Sequence, residues 1–184
     1  MRRTYLTDIR RTYRNYRAMA EGAIAQVSDA GLTTTLDADG NSIAVVMHHV
    51  AGNLRSRFAR FLTDDGEKPD RDRDAEFEPR PDMDRVSLMA EWNAAWEIVL
   101  GELDALTPDD LERTVHIRGE AFAVVEALHR SVTHTAYHVG QIVFLAKHLA
   151  GAKWISLSIP KGRSADYGVG TFKHGIVPAK SLTR

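Results

Sequence analysis

The sequence predicts an all-α protein built as a four-helix bundle. Four long segments carry apolar residues at spacings of three and four, which is the pattern of a helix with one buried face. A long charged stretch separates the second segment from the third, so the bundle contains one long crossover connection. With 184 residues and 43% hydrophobic content, the chain can bury a core as one domain, which we expect to span residues 1–184.

The first two helices are predicted from their apolar stripes and their end signals. The first stripe consists of Leu6, Ile9, Tyr13, Tyr16, Ala20, Ala23 and Val27. We expect this helix to stop at Ala30-Gly31, because glycine commonly ends a helix. The second stripe consists of Ile43, Met47, Val50, Leu54, Phe58 and Phe61. Ser42 is a suitable N-cap for this helix, which we expect to run to about Leu62.

Residues 63–85 form the predicted crossover loop, since charged residues dominate this stretch and its prolines exclude a helix. These prolines are Pro69, Pro79 and Pro81. The alternating aspartates and arginines of residues 70–74 resemble the start of a calcium-binding EF-hand loop. Ala75 stands where that loop requires glycine, and Pro81 stands where it requires a bidentate glutamate. We therefore do not expect calcium to bind here.

The third and fourth helices follow the crossover. The third stripe consists of Met89, Trp92, Trp96, Val99, Leu103 and Leu106, and it ends at Thr107-Pro108. A short turn at residues 109–113 and an extended piece at residues 114–118 are expected next, with a break at Gly119. The fourth stripe consists of Val125, Leu128, Val132, Thr135, Val139, Ile142, Ala146 and Leu149, before a stop at Gly151. Residues 152–184 show little periodicity and are predicted to form an irregular C-terminal tail.

Composition narrows the function classes. The formal charge of −1, from 24 basic and 25 acidic residues, gives no overall field for nucleic acid or anionic lipid. No apolar stretch is long enough to span a membrane, and no signal peptide is visible at the N-terminus. The absence of cysteine suits a cytoplasmic protein and means that a transition-metal site would be built from His, Asp and Glu.

The most informative residues for function are histidines. His134 and His138 lie four residues apart within the fourth predicted helix, so they project from one face at the spacing of metal ligands. The second helix offers His48 and His49, which fall on opposite sides of its stripe, and periodicity does not choose between them. A di-iron bundle would need two Glu-x-x-His pairs, and Glu126 with His129 is the only such pair in the sequence.

These segments resemble the DinB/YfiT-like superfamily of helical-bundle metalloenzymes. The resemblance is carried by residues 42–51, which contain Met47-His48-His49-Val50-Ala51, and by His134-x-x-x-His138-Val139-Gly140-Gln141-Ile142 in the last helix. The closer likeness is to an uncharacterised subgroup, whose hallmarks lie in residues 52–58, 63–69, 117–120 and 154–160. The resemblance covers nearly the whole chain.

The resemblance implies a set of ligands that periodicity left open. In the superfamily pattern, the first ligand is the histidine directly before an apolar-Ala pair, which is His49 here. The implied ligands of one divalent transition metal are therefore His49, His134 and His138, and His48 is excluded. Zinc and nickel suit imidazole best, with iron and manganese as alternatives. Phe122 stands where the subgroup is expected to carry a further histidine, so any role of that histidine is lost or moved in this chain.

The superfamily includes S-transferases and isomerases that use low-molecular-weight thiols, as well as members without known activity. The sequence therefore leaves two classes open. One is a metal-dependent S-transferase or hydrolase acting on a small molecule, with a low-molecular-weight thiol as a second candidate ligand. The other is a non-catalytic ligand-binding or stress-response bundle. Asn53, Arg57 and Gln141 are candidate substrate or outer-shell residues, because helical spacing places them near the histidines.

A homodimer is also expected. Related bundles often pair through helix faces, and this chain carries more aromatic side chains than a small bundle needs. The rings considered for such a face are Trp92, Trp96, Tyr13 and Tyr16.

Overall fold

The computed structural model describes residues 1–80 and 82–166, and in this part of the chain five α-helices and one β-hairpin form. The helices are α1 (Arg2–Ile24), α2 (Asp29–Thr33), α3 (Ile43–Phe58), α4 (Arg85–Ala105) and α5 (Val124–Ala150). The hairpin strands are β1 (Thr114–Ile117) and β2 (Glu120–Ala123), which pair antiparallel.

The four long helices form the predicted bundle. Helix α3 packs against α4 and α5, and α1 packs against α5 and α4, so the order around the bundle is α1, α4, α3, α5. The predicted signals are present at the start of α3 and at the end of α5. The Ser42 hydroxyl accepts a hydrogen bond from the Val45 amide, and Gly151 follows α5 with a φ of 55°. The prediction of an all-α four-helix bundle is confirmed, with the small hairpin as an addition.

The first helix ends earlier than predicted. Helix α1 stops at Ile24 rather than near Gly31, and the chain then turns into the separate short helix α2. The Ser28 hydroxyl begins α2 by accepting a hydrogen bond from the Gly31 amide, and Leu32 of α2 is buried in the core. Val27 and Leu32 thus continue the apolar pattern across a helix break that periodicity alone does not show. Helix α3 also stops short of Leu62, at Phe58, and Arg60 adopts a positive φ of 54°.

The crossover and the hairpin lie together beside α3. A single 3-10 turn at Ala75–Phe77 packs against α3, and the rest of the crossover has no long regular element among its described residues. The hairpin turn consists of Arg118 and Gly119, both with positive φ. Their amides donate hydrogen bonds of 2.8 and 2.7 Å to the Asp65 carboxylate, so the crossover fixes the position of the hairpin.

The aromatic rings considered for a dimer face belong to the core. Trp92, Trp96 and Tyr13 are fully buried, and Tyr16 is half-buried against the same core. Tyr13 contacts the rings of Phe58 and Trp96 edge-on, with centroid distances of 5.6 and 6.2 Å. The interpretation that these rings face a partner subunit is therefore wrong. The homodimer itself stays a prediction.

Two further expectations concern the limits of the chain. The C-terminal tail is irregular in its described part, which holds two 3-10 turns, at Gly151–Lys153 and Ser164–Asp166. Residues 167–184 of the predicted tail and Pro81 of the crossover lie outside the described residues. Among the helices that are described, none combines the length and the apolar character needed to cross a membrane.

One acidic residue before the hairpin gives a pH-dependent prediction. The Asp110 carboxylate accepts hydrogen bonds from the Thr107 hydroxyl, the Thr107 amide and Arg113, and these lower its pKa to about 2. A carboxyl whose pKa is lower in the folded chain stabilises the fold above the unfolded pKa, and this stability is lost as the pH falls through the folded pKa. Asp110→Ala should therefore lower the free energy of unfolding by about 1 kcal/mol at pH 7, as for loss of a capping side chain. The loss of unfolding free energy should be smaller at pH 2, because Asp110 is partly protonated there in the folded chain.

Urea unfolding at the two pH values measures this difference. Asp109→Ala is the matched control, because the neighbouring Asp109 side chain is 96% exposed. An Asp110→Ala effect of equal size at pH 7 and pH 2 would contradict the assignment.

Candidate metal centre

Three histidine side chains from two helices meet between α3 and α5. His49 comes from the middle of α3, and His134 and His138 lie one turn apart on α5. One ligand atom from each residue can be chosen so that all three lie within 4.8 Å of one another. The spacing on α5 aligns two rings, and the packing of α3 against α5 supplies the third.

The same nitrogen of each ring points at the common centre. The Nε2 atom of His134 lies 3.3 Å from Nε2 of His49 and 3.2 Å from Nε2 of His138. Three convergent imidazole nitrogens are the donor set of open zinc-type sites.

The outer nitrogens of two rings are fixed by hydrogen bonds. Nδ1 of His49 donates to Oε2 of Glu76 over 2.8 Å, and Nδ1 of His138 donates to Oε1 of Gln141 over 2.8 Å. In a neutral ring, a proton on Nδ1 leaves the lone pair on Nε2, where it points at the centre. Metal-ligating histidines commonly have such partners, which fix the tautomer and the ring orientation.

Glu76 is itself held by a buried ion pair. Arg71 donates to Oε1 of Glu76 through Nε over 2.7 Å and to Oε2 through a terminal nitrogen over 2.8 Å. The side chains of Arg71 and Glu76 are only 3% and 7% exposed. Gly52 on α3 makes room for this carboxylate, because a Cβ atom there would lie 2.3 Å from Oε1 of Glu76.

The electrostatics of the centre favour neutral imidazoles and an ionised glutamate. Burial, together with the positive fields of the neighbouring histidines and arginines, lowers the pKa of His134 to about 3. Burial also lowers the pKa of His138, and the hydrogen bond that this ring donates to Gln141 opposes the shift only in part. Burial acts to raise the pKa of Glu76, but the hydrogen bonds from Arg71 and His49 outweigh it and bring the pKa to about 2. At neutral pH, His134 and His138 are in the form that binds a metal.

Aromatic rings pack against the histidines. Phe77 lies against His49 with a centroid distance of 4.4 Å, and Tyr137 contacts His138 edge-on at 4.9 Å. Phe77 and Glu76 are neighbours in the 3-10 turn of the crossover, so this one turn holds His49 both by a hydrogen bond and by packing.

His48 points away from the centre. Its Nδ1 donates to Glu91 of α4 over 2.8 Å, and its Nε2 accepts from Arg80 over 3.2 Å. His48 therefore takes part in an ion-pair network between the crossover and α4.

A cavity of about 640 Å³ opens beside the histidines and has the size of a small-molecule site. Of the residues selected from the sequence, Asn53 and Arg57 line it, and Phe122 of β2 contributes to its wall. Arg57 also donates to Glu67 over 2.8 Å and to the carbonyl oxygen of Gly66. Gln141 is not part of the described lining, and its observed contact is the hydrogen bond to His138.

Sequence reasoning missed the contribution of the crossover. Glu76, Arg71 and Phe77 surround His49, yet the alternating charges of residues 70–74 were weighed only as a calcium loop. A usable signal was present, because a ligating histidine commonly requires a carboxylate or carbonyl partner. The position of that partner depends on the path of a long loop, which periodicity does not give.

Comparison with known proteins identifies a similar solved structure and a matching family. The structure resembles that of YfiT from Bacillus subtilis, described as a probable metal-dependent hydrolase with an unusual four-helix bundle topology. The match has a TM-score of 0.64 and 20% sequence identity, and it covers 80% of this chain and 89% of YfiT. The recognition of a DinB/YfiT-like bundle is thereby confirmed at the level of fold.

A search of curated proteins gives no match. The model of a protein family of unknown function, DUF1572, matches residues 1–163. This match covers most of the chain, which therefore belongs to the DUF1572 family.

Proposed function

We propose that this protein is a divalent-metal-dependent enzyme that acts on a small molecule, with hydrolysis as the favoured reaction. The observation that carries the proposal is the convergence of three Nε2 atoms, from His49, His134 and His138, next to a cavity of small-molecule size. The description of YfiT as a probable metal-dependent hydrolase supports the same reaction type.

The residues present fit a divalent ion. A buried lone pair without a donor is unfavourable, and the hydrogen bonds to Glu76 and Gln141 leave the Nε2 lone pairs of His49 and His138 facing the same point. Without an ion, a proton on Nε2 of His134 could be donated to the lone pair of His49 or to that of His138, but not to both. A divalent ion held by His49, His134 and His138 would satisfy all three, and zinc or nickel suits imidazole best, with iron or manganese as alternatives.

A bound ion of this kind lowers the pKa of an attached water or thiol and so supplies a nucleophile near neutral pH. The protein's own groups orient the site. Glu76 and Gln141 fix two rings, and Phe77 restricts the movement of His49. The cavity, with Asn53 and Arg57 in its wall, would hold the substrate next to the three nitrogens.

Transfer to a low-molecular-weight thiol is a second candidate reaction. The open cavity beside the histidines has room for such a thiol. Because the chain contains no cysteine, any thiol that reacts at this site must come from a ligand. A cytoplasmic location remains part of the proposal and is supported by the same lack of cysteine. The competing class is a non-catalytic bundle in which the histidines hold no functional ion.

Metal analysis of the full chain, purified without a histidine tag, tests the proposal first. We expect about one equivalent of a transition metal per chain, the stoichiometry of one three-histidine site. Less than about one-tenth of an equivalent, with no uptake of added zinc or nickel, would favour the non-catalytic bundle. Hydrolysis of a panel of carboxylic and phosphate esters is then compared between the metal-loaded chain, the chelator-treated chain and the His134→Ala variant.

Cobalt substitution separates the two reactions. Cobalt(II) accepts the same imidazole donors, and its absorption spectrum reports the atoms bound to it. A thiolate-to-cobalt charge-transfer band after addition of cysteine would support the transferase. An unchanged spectrum, together with metal-dependent ester hydrolysis, would support the hydrolase.

We further propose that the chain forms a homodimer of about 41 kDa, twice its mass of 20.5 kDa. Exposed apolar residues on α5 support this proposal: Tyr137 and Phe144 lie seven residues apart on one face and are 64% and 65% exposed. Gly140 lies between them, and nothing outside the helix backbone lies within 4 Å of a Cβ built there, so a partner helix could approach closely. Light scattering coupled to gel filtration should give a mass of about 41 kDa. An interface of standard size would bury about 1,500 Å² in total.

Two substitutions locate the interface. Phe144→Lys should shift the mass to that of a monomer, whereas Val86→Lys on α4 should not, although Val86 is also exposed. A wild-type mass near 20 kDa at tens of micromolar protein would contradict the dimer.

A further inference from the structure

The geometry points to an oxyanion-binding pocket beside the three histidines, which takes the carboxylate or phosphate group of a small-molecule substrate. This inference rests on the proposed function, because the pocket would hold one end of a substrate whose reacting end lies at the histidines. It adds the substrate class, an oxyanion held by Asn53 and Arg130.

Asn53 is a buried polar side chain whose amide has no partner among the described residues. It is only 7% exposed and lines the cavity one helical turn beyond His49. Its amide forms no hydrogen bond with any residue in the described part of the chain. The amide is therefore available to a ligand in the cavity, to which its nitrogen can donate and from which its oxygen can accept.

Arg130 is an exposed cation in the cavity wall that has no counter-ion among the described residues. It lies one turn before His134 on α5, so its side chain shares a face of the helix with that histidine. Its guanidinium forms neither an ion pair nor a hydrogen bond with residues 1–80 or 82–166. Guanidinium groups bind carboxylate and phosphate oxygens through two parallel hydrogen bonds.

The remaining charges of the wall favour an anion. Five arginines line the cavity against one carboxylate, that of Glu120. The five are Arg57, Arg71, Arg73, Arg118 and Arg130. Behind the wall, Glu67 lies 2.8 Å from Arg57, 3.1 Å from Arg118 and 3.5 Å from Arg71. Arg71 also pairs with Glu76 and Arg73 with Asp74, so Arg130 is the one arginine of the wall without a carboxylate partner in the described part of the chain.

A cationic substrate does not fit this wall. Glu120 is exposed, Glu67 is already surrounded by guanidinium groups, and a divalent ion at the histidines would add further positive charge. An oxyanion placed between Asn53 and Arg130 would accept hydrogen bonds from both. The arginines of the crossover and the hairpin would add a favourable field.

Binding of two probes, inorganic phosphate and succinate, tests the pocket by calorimetry on the full chain. Each titration is run with and without one equivalent of zinc, and the probe that binds more tightly identifies the preferred oxyanion. Arg130→Gln and Asn53→Leu are each expected to weaken binding of that probe about tenfold, as for loss of a charge-assisted or buried hydrogen bond. Both variants should retain the zinc content of the wild type.

Arg55→Gln is the matched control. Arg55 is an exposed arginine of α3 without a partner in the described structure and does not line the cavity, so its loss gives the same change of charge. Probe affinity should change less than about twofold, the range left for long-range screening.

The outcomes separate this inference from the proposed function. If zinc binds but Arg130→Gln and Asn53→Leu bind both probes as the wild type does, the oxyanion pocket is wrong and the metal centre stands. If the probes bind in an Arg130-dependent way but zinc does not bind, the pocket stands and the metal centre is wrong. Failure of the wild type to bind either probe below about 10 mM, weaker than a typical specific small-molecule site, would also overturn the pocket.

Discussion

Replacing any one of His49, His134 and His138 by alanine is expected to abolish stoichiometric metal binding. Each supplies one of the three Nε2 atoms at the common centre, where that of His134 lies 3.3 Å from that of His49 and 3.2 Å from that of His138. Loss of an outer partner of a ligand already costs about 10- to 100-fold in affinity, and loss of the ligand itself should cost more. Titration with zinc in the presence of a competing chelator measures the change for each variant.

His48→Ala is the control for this series. His48 is adjacent to His49 in sequence, but its ring is bound to Glu91 and Arg80 on the side of α4. Its removal should leave the zinc affinity within about twofold of the wild type, although it removes the hydrogen bonds to Glu91 and Arg80. Equal loss of zinc from His48→Ala and His49→Ala would contradict the assignment of His49. Circular dichroism of the metal-free variants shows whether each one folds.

The helical framework could be predicted from the sequence because its signals are local. An apolar stripe such as that of α5 repeats every turn, and the end signals of Ser42 and Gly151 act within a few residues. The same locality places His134 and His138 on one face. The choice of His49 over His48 as a ligand rests on the family resemblance and stays a prediction; in the structure His49 faces α5, whereas His48 contacts Glu91 of α4.

The parts that could not be predicted depend on contacts distant in sequence. Glu76 reaches His49 across 27 positions, and its placement requires the fold of the whole crossover. The hairpin was expected only as an extended piece, because its strands have four residues each and its position is fixed by hydrogen bonds to Asp65, more than fifty residues away. The break after Ile24 was missed because the apolar pattern continues through Val27, between the two helices, to Leu32 in α2.

Glu76→Gln is expected to lower both the stability of the fold and the affinity for metal. The substitution leaves the buried guanidinium of Arg71 without its two-point carboxylate partner, and breaking a buried ion pair in this way costs about 3 to 5 kcal/mol. Glu67, 3.5 Å from Arg71, offsets part of this loss, so the lower end of the range is expected. The hydrogen bond to Nδ1 of His49 also weakens, and zinc affinity should fall about 10- to 100-fold.

Two measurements distinguish a role of Glu76 in positioning His49 from a role in the stability of the fold alone. Urea unfolding of the metal-free chain gives the stability term, and zinc titration under conditions where each variant is fully folded gives the affinity term. If Glu76→Gln lowers stability but binds zinc as the wild type does, Glu76 supports only the fold. If neither quantity changes, the buried pair with Arg71 does not have the importance that its burial implies.

Gly52→Ala tests the same carboxylate from the other side. The new Cβ would lie 2.3 Å from Oε1 and 2.8 Å from Cδ of Glu76, so the carboxylate must move away from Arg71 and His49. Overpacking of a buried site typically costs about 1 to 3 kcal/mol, and the displaced carboxylate should reduce zinc affinity as Glu76→Gln does. Gly101→Ala on α4 is the matched control, since nothing lies within 4 Å of the added Cβ there. In an open helical position the same change stabilises by about 0.5 to 1 kcal/mol, so the two glycine variants should differ in sign because only Gly52 faces Glu76.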